Sequence, residues 1–174
     1  MNLPNGISLL RILLIPLLIF LLLSDMPRGN YYAAGIFAIV AASDALDGYL
    51  ARKLKKISKL GKLLDPLADK LLVISALFCL LELDAISIFP LLIIVARDLT
   101  VDGLRAVAGA GGKIIAADMP GKVKTAVLDI AVIMLILNIS GGNYVLWAGV
   151  VLSVLSGANY FAGNWKLLSG RIRG

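Results

Sequence analysis

Histidine is absent from the chain, and cysteine occurs once, at position 79. Those absences exclude disulfides, Cys/His metal centres and any catalysis that carries protons on imidazole. Cys79 lies in an apolar helical run, where a thiol behaves as a small hydrophobe. Charge is scarce too: 16% of the 174 residues are charged against 60% hydrophobic, and mean hydropathy is +0.94. An ordinary soluble domain is about 45–50% apolar, so the chain reads as an integral membrane protein. No fixed-period repeat or low-complexity linker divides it, which leaves one domain over residues 1–174.

A membrane helix takes about 20 residues. The apolar runs place six spans at about 7–23, 31–54, 63–81, 86–107, 121–139 and 144–168, an all-α transmembrane bundle. Pro16 is expected to bend the first. That first run has no small-residue cleavage site behind it and holds Arg11, so it reads as a retained helix rather than a signal peptide. Arg11 is too costly to face lipid and is expected to snorkel or to point toward a phosphate. In an N-in, six-span arrangement, Arg28 alone among the 17 Lys and Arg falls in the outer loops. The positive-inside rule then puts both termini and the charged helix ends in the cytoplasm. The net charge of +6 is accounted for by that orientation and by anionic phosphates, with no nucleic-acid module beside it.

Polar chemistry concentrates in D-A-L-D-G-Y-L-A-R-K-L-K-K-I-S-K-L-G-K-L-L-D-P-L-A-D, from Asp44 to Asp69. Asp44 with Asp47, and Asp65 with Asp69, are spaced i,i+3 and i,i+4, so each pair lies on one helix face. An ionisable group at membrane depth costs about 2.5–3.5 kcal/mol, and four unpaired carboxylates on the order of 10 kcal/mol. They must share a polar interior and be neutralised. Arg52 and Lys70 adjoin the pairs but do not balance four acids, whereas a clustered all-oxygen donor set suits a hard cation such as Mg²⁺ or Mn²⁺. Gly48 and Ala51 leave the helix face beside the acids without bulk, and Arg52 can fork onto a phosphate. Gly61 allows close helix approach, and Pro66 suits the first turn of the following helix. A metal-bearing, cation-flanked groove of this kind fits a pyrophosphate.

This pattern, D-x2-D-G-x2-A-R-x8-G-x3-D-x3-D, resembles the signature of the CDP-alcohol phosphotransferases, membrane enzymes of phospholipid synthesis. Asp44, Asp47, Gly48, Ala51, Arg52, Gly61, Asp65 and Asp69 match every fixed position. Chance helix-end charges have no reason to keep that register. The resemblance implies that Asp44, Asp47, Asp65 and Asp69 hold metal, that Asp69 takes the proton of the attacking hydroxyl, and that the liponucleotide CDP-diacylglycerol is the donor. Asn5, in the N-terminal P-N-x-[IL]-[ST] segment, and Ser58, in the basic connector, are implied beside the nucleotide. Helix capping by Asn5 or Ser8, and a solvated loop position for Ser58, are the plainer readings. The resemblance also implies a homodimer among membrane lipids, which small residues in the later spans permit.

The fourth span carries A-R-D-L-T-V-D-G-L-R, with Asp98, Asp102 and Arg105 on one face, so pairing within the helix is expected. Arg97, Arg105, Lys122 and Lys124 gather at the cytoplasmic ends of the fourth and fifth spans and are candidates to bind a phosphate dianion; positive-inside anchoring explains them equally simply. With the glycines that follow and G-K-x-K-T, these segments resemble the bacterial phosphatidylglycerophosphate synthases within that family, although members commonly carry Glu where Asp98 stands. The acceptor so implied is glycerol 3-phosphate; phosphatidylglycerol, serine and inositol phosphate are the alternatives. A divalent-cation transporter is the rival from another class, but it would place polar groups at several depths rather than near one end. The sixth span, with Gly149, Ser153, Ser156 and Gly157, suggests packing and no chemistry.

Overall fold

The computed structural model describes residues 3–54, 59–110 and 119–168, with side chains described at 9–43, 67–109, 119 and 121–163. Six α-helices make up the described chain: α1 Leu3–Leu23, α2 Gly29–Leu54, α3 Lys59–Glu82, α4 Ile88–Ala110, α5 Met119–Ile136 and α6 Gly142–Leu168. Each expected span has its helix.

The ends differ from expectation in two places. α1 already begins at Leu3, so Asn5 and Ser8 lie within the helix and not at its cap. Pro4 then stands in the first turn, where its missing N–H costs nothing. α3 begins at Lys59, which puts Pro66 well inside the helix instead of in its first turn.

Packing puts α3 and α5 at the centre. α3 touches α1, α2, α4 and α5, while α5 also lies along α6 and against α2; α4 packs on α6. One buried cluster joins Leu18, Phe37, Leu72, Leu77, Ile94, Leu128, Val132 and Leu146, drawn from all six helices. Cys79 is buried in it, as its apolar surroundings led one to expect. A smaller cluster of Val101, Leu104 and Tyr160 joins α4 to α6.

The loops 24–28, 83–87 and 137–141 meet at one end, around a cavity lined by Ser24, Asp25, Leu83, Ala85 and Asn138. There Asn143 Nδ2 donates to the Ala85 carbonyl at 3.2 Å. α3 and α5 stop in the same way. Asp84 and Asn138 take left-handed backbone, each with φ 54°, and the amides of Ala85 and Ile139 return to the carbonyls of Leu80 and Met134 at 2.9 and 2.8 Å. This is a Schellman closure, and Asn and Asp are the side-chain-bearing residues that best tolerate it.

Gly29 is held by a close approach of a different kind. A Cβ there would lie 2.7 Å from the Leu21 carbonyl oxygen, and that backbone atom cannot swing aside. Gly29→Ala is therefore expected to destabilise the bundle by about 1–3 kcal/mol. The check is thermal unfolding of the detergent-solubilised protein beside Gly35→Ala, whose Cβ would meet nothing within 4 Å.

The outer surface is apolar all round. Leu13 is 65% exposed, Ile39 70% and Leu99 68%, and Phe78, Ile130 and Leu155 are also more than half exposed, so every helix turns large hydrophobes outward. Contiguous exposed apolar surface on this scale marks an interaction with membrane or partner. By length and composition alone, among the described residues, one helical segment is apolar enough to cross a membrane, Gly142–Gly163 of α6; Leu9–Leu23 is a shorter apolar helix. The other helices carry acids and bases along their length, and apolarity averaged along a helix does not separate an inward polar stripe from an outward greasy one.

Candidate functional site

The acidic motif occupies the end of the bundle opposite the three short loops. Asp44, Asp47, Gly48, Ala51 and Arg52 lie on the last turns of α2, and Asp65 and Asp69 on the early turns of α3, a helix packed beside it. Continuous helix through both segments keeps the i,i+3 and i,i+4 spacings that put each pair of acids on one face. The side chains of Asn5, Asp44, Asp47, Gly48, Ala51, Arg52 and Asp65 are outside those described, and Ser58 and the connector around it lie outside the described residues altogether.

Asp69 is described. It is half-buried and lines a cavity with Lys70, Val73, Ile74, Ile94, Asp98, Lys124, Thr125 and Leu128, drawn from α3, α4 and α5. One wall is a buried ionic cluster. Asp98, only 7% exposed, accepts from Lys124 Nζ at 2.9 and 3.2 Å and from Arg97 Nη1 at 2.8 Å. Lys124 itself is 6% exposed. Charges so far from water survive only when paired, and deleting one partner of a buried pair typically costs about 3–5 kcal/mol. Lys70, also in the cavity lining, forms an ion pair with Asp102 across α3 and α4.

The four candidate phosphate-binding cations are placed differently from one another. Lys124 reaches the cavity that holds Asp69. Arg97 turns to α6, where its Nε donates to the Ser153 carbonyl at 3.0 Å and its Nη2 to Ser156 Oγ at 2.6 Å. Arg105 also faces α6: its Nε donates to Tyr160 Oη at 3.0 Å and its guanidinium lies 5.2 Å from the Tyr160 ring centre. Lys122 is exposed. The expected pairing of Asp98 with Arg105 along α4 does not occur. Within α4, Asp98 pairs instead with the adjacent Arg97, and Asp98 and Asp102 each also reach across to a lysine on a neighbouring helix.

Arg11 is 2% exposed, and its Nε donates to Ser43 Oγ at 3.2 Å, one residue before Asp44. It points inward to the acid-bearing helix and does not snorkel. The Lys70–Asp102 tie, Thr125 in the cavity wall, and the α6 groups that hold Arg97 and Arg105 were not visible as site features in the sequence. Asp129, an acid in an apolar run of the sequence, is half-buried inside α5. Ser153, Ser156 and Gly157 are buried between α6 and its neighbours, so these small residues serve the bundle's own packing rather than an open face.

Known proteins share this sequence along its length. Residues 1–155 match the family described as CDP-alcohol phosphatidyltransferase. A protein of Bacillus subtilis strain 168 is 38% identical over 96% of this chain and 97% of its own, and one of Rickettsia typhi is 33% identical over 92% and 95%. A Pseudomonas fluorescens protein is 45% identical over 60% of this chain and 55% of its own. All three are named CDP-diacylglycerol–glycerol-3-phosphate 3-phosphatidyltransferase.

Proposed function

The chain belongs to the CDP-alcohol phosphatidyltransferase family, and from that membership we propose that it makes phosphatidylglycerophosphate for phospholipid synthesis. It transfers the phosphatidyl group of CDP-diacylglycerol to sn-glycerol 3-phosphate and releases CMP. The observation that carries this reading is the shared cavity of Asp69 and Lys124. The last acid of the phosphotransfer motif and the second lysine of G-K-x-K-T, far apart in sequence, line one space.

In the proposed reaction a hydroxyl oxygen of glycerol 3-phosphate bonds to the phosphatidyl phosphorus. The bridging P–O bond to CMP breaks, and its electron pair leaves on CMP. Asp69 accepts the hydroxyl proton, a role worth about 10²–10⁴-fold for a positioned base. Lys124 takes the acceptor's phosphate, and Arg52 with Gly48 and Ala51 receives the pyrophosphate of the donor. Asn5 and Ser58 belong to the nucleotide side, while Arg105 and Lys122 add positive charge around the acceptor's entry. Arg97 acts from behind, since three of its N–H groups already donate within the protein. Transfer of this kind is mainly positioning and charge neutralisation.

Asp44, Asp47, Asp65 and Asp69 suit a divalent cation, Mg²⁺ or Mn²⁺: all donors are carboxylate oxygens, and they sit on two helices that pack together. Bound there, the ion would neutralise the pyrophosphate and the charge developing on CMP. The outward apolar surface supports a bundle set in the membrane by all six helices. The lone Arg28 at the three-loop end, against Lys70, Arg97, Arg105, Lys122 and Lys124 toward the other, supports a cytoplasmic site and cytoplasmic termini. A homodimer would form on the outward faces, as the small residues of α6 are enclosed.

The test is CMP release by the purified protein from CDP-diacylglycerol and divalent cation, with glycerol 3-phosphate, serine, inositol phosphate or phosphatidylglycerol supplied in turn. Release with glycerol 3-phosphate alone is expected. Release with another acceptor would move the specificity, and release with none would overturn the activity.

A further inference from the structure

We infer that Asp98 is a positioning residue for the acceptor's phosphate, anchored from α6 through Arg97, so that the helix without reactive groups sets where Lys124 stands. This deepens the reading above, in which Lys124 meets that phosphate. A lysine ammonium sits on a flexible stem with three donors and no fixed direction. Left to itself in this cavity, Lys124 would be free to lean toward whichever carboxylate was nearest, including that of Asp69.

The observed bonds remove that freedom. Both oxygens of Asp98 lie within 3.2 Å of Lys124 Nζ, which draws the ammonium to the α4 wall and leaves donor capacity toward the cavity. Asp98 is in turn held by Arg97 Nη1 at 2.8 Å. Arg97 cannot drift, because the Ser153 carbonyl and Ser156 Oγ take two further N–H groups at 3.0 and 2.6 Å, and Ser156 Oγ itself donates to the Ser153 carbonyl at 3.1 Å. Gly157 makes the approach possible: a Cβ there would lie 3.2 Å from Arg97 Cγ and 3.3 Å from its Nε. A continuous set of hydrogen bonds thus runs from α6 through α4 to α5 and ends at the cavity of Asp69. Two cations and one carboxylate leave this set with a net positive charge, the sign needed to attract an anionic acceptor.

The test is a double-mutant cycle on CMP release, with Asp98→Asn, Lys124→Gln and the pair, which carries no uncompensated carboxylate and guards against simple misfolding. Asp98→Asn is expected to raise the KM for glycerol 3-phosphate about 10- to 100-fold, the weight of a hydrogen bond to a charged group. The KM for CDP-diacylglycerol should stay unchanged, Asp98→Glu should recover most of the loss, and the pair should be no worse than Lys124→Gln. Gly157→Val should shift the same acceptor KM from α6. Independent, multiplying effects of Asp98→Asn and Lys124→Gln, or equal shifts in both substrates' KM, would overturn the positioning role while leaving the activity intact. Wild-type protein that releases no CMP with glycerol 3-phosphate would overturn the reading beneath it.

Discussion

Asp69→Asn is expected to lower CMP release by about 10²–10⁴-fold, the range for losing a positioned general base, with CDP-diacylglycerol still bound. Asn keeps the size of the side chain and can still hydrogen-bond, but it cannot accept a proton. Asp69 lies on α3 in the cavity shared with Lys124. The loss should therefore fall on kcat. Asp69 is also a candidate metal ligand, and the two roles are separable by titrating the cation. A defect in metal binding is recovered at high Mg²⁺ or Mn²⁺, whereas a missing base is not. Binding of the donor, measured directly on the solubilised variant, supplies the second arm. Substantial turnover remaining at saturating cation would reject Asp69 as the base.

The helices were legible in the sequence as long runs rich in apolar residues, and all six lie close to their expected places. The acids were legible for a different reason. The interval from Asp44 to Asp69 carries eight residues at fixed spacing, and spacing along one strand of chain is what a sequence records directly. Contacts between helices are not recorded in that way. The one-face rule joined Asp98 to Arg105 within α4, yet Asp98 reaches Lys124 on α5 and Asp102 reaches Lys70 on α3. Which helix lies beside which follows from packing of the whole bundle. The role of α6 was hidden still further, since its ligands to Arg97 are a backbone carbonyl and one serine hydroxyl. Neither differs in composition from ordinary helix packing. Arg97 consequently looked like a phosphate ligand equal to Lys124, and only its direction toward α6 separates the two.

Removal of divalent cation is expected to abolish CMP release, with Mg²⁺ or Mn²⁺ restoring it and neither Na⁺ nor K⁺ doing so. The reason lies in charge. Two substrates that both carry phosphate must be brought together at the end of a bundle that already holds four aspartates. Nearby cations do not suffice: Asp98 and Asp102 offset two of the three charges on Lys124, Arg97 and Lys70, leaving one positive charge against four aspartates. A doubly charged ion held among Asp44, Asp47, Asp65 and Asp69 would halve that negative charge and give the phosphate oxygens a cation to coordinate. Asp47→Asn should then raise the cation concentration needed for half-activity. Loss of even an outer partner of a metal ligand commonly costs about 10- to 100-fold in affinity or activity, so loss of a ligand should cost at least that much. Unlike Asp69→Asn, the Asp47→Asn enzyme should recover turnover as cation is raised and should bind donor more weakly at low cation. Full activity in excess chelator would remove the metal from the mechanism and leave the four carboxylates to be neutralised by protons or by Arg52 and Lys70.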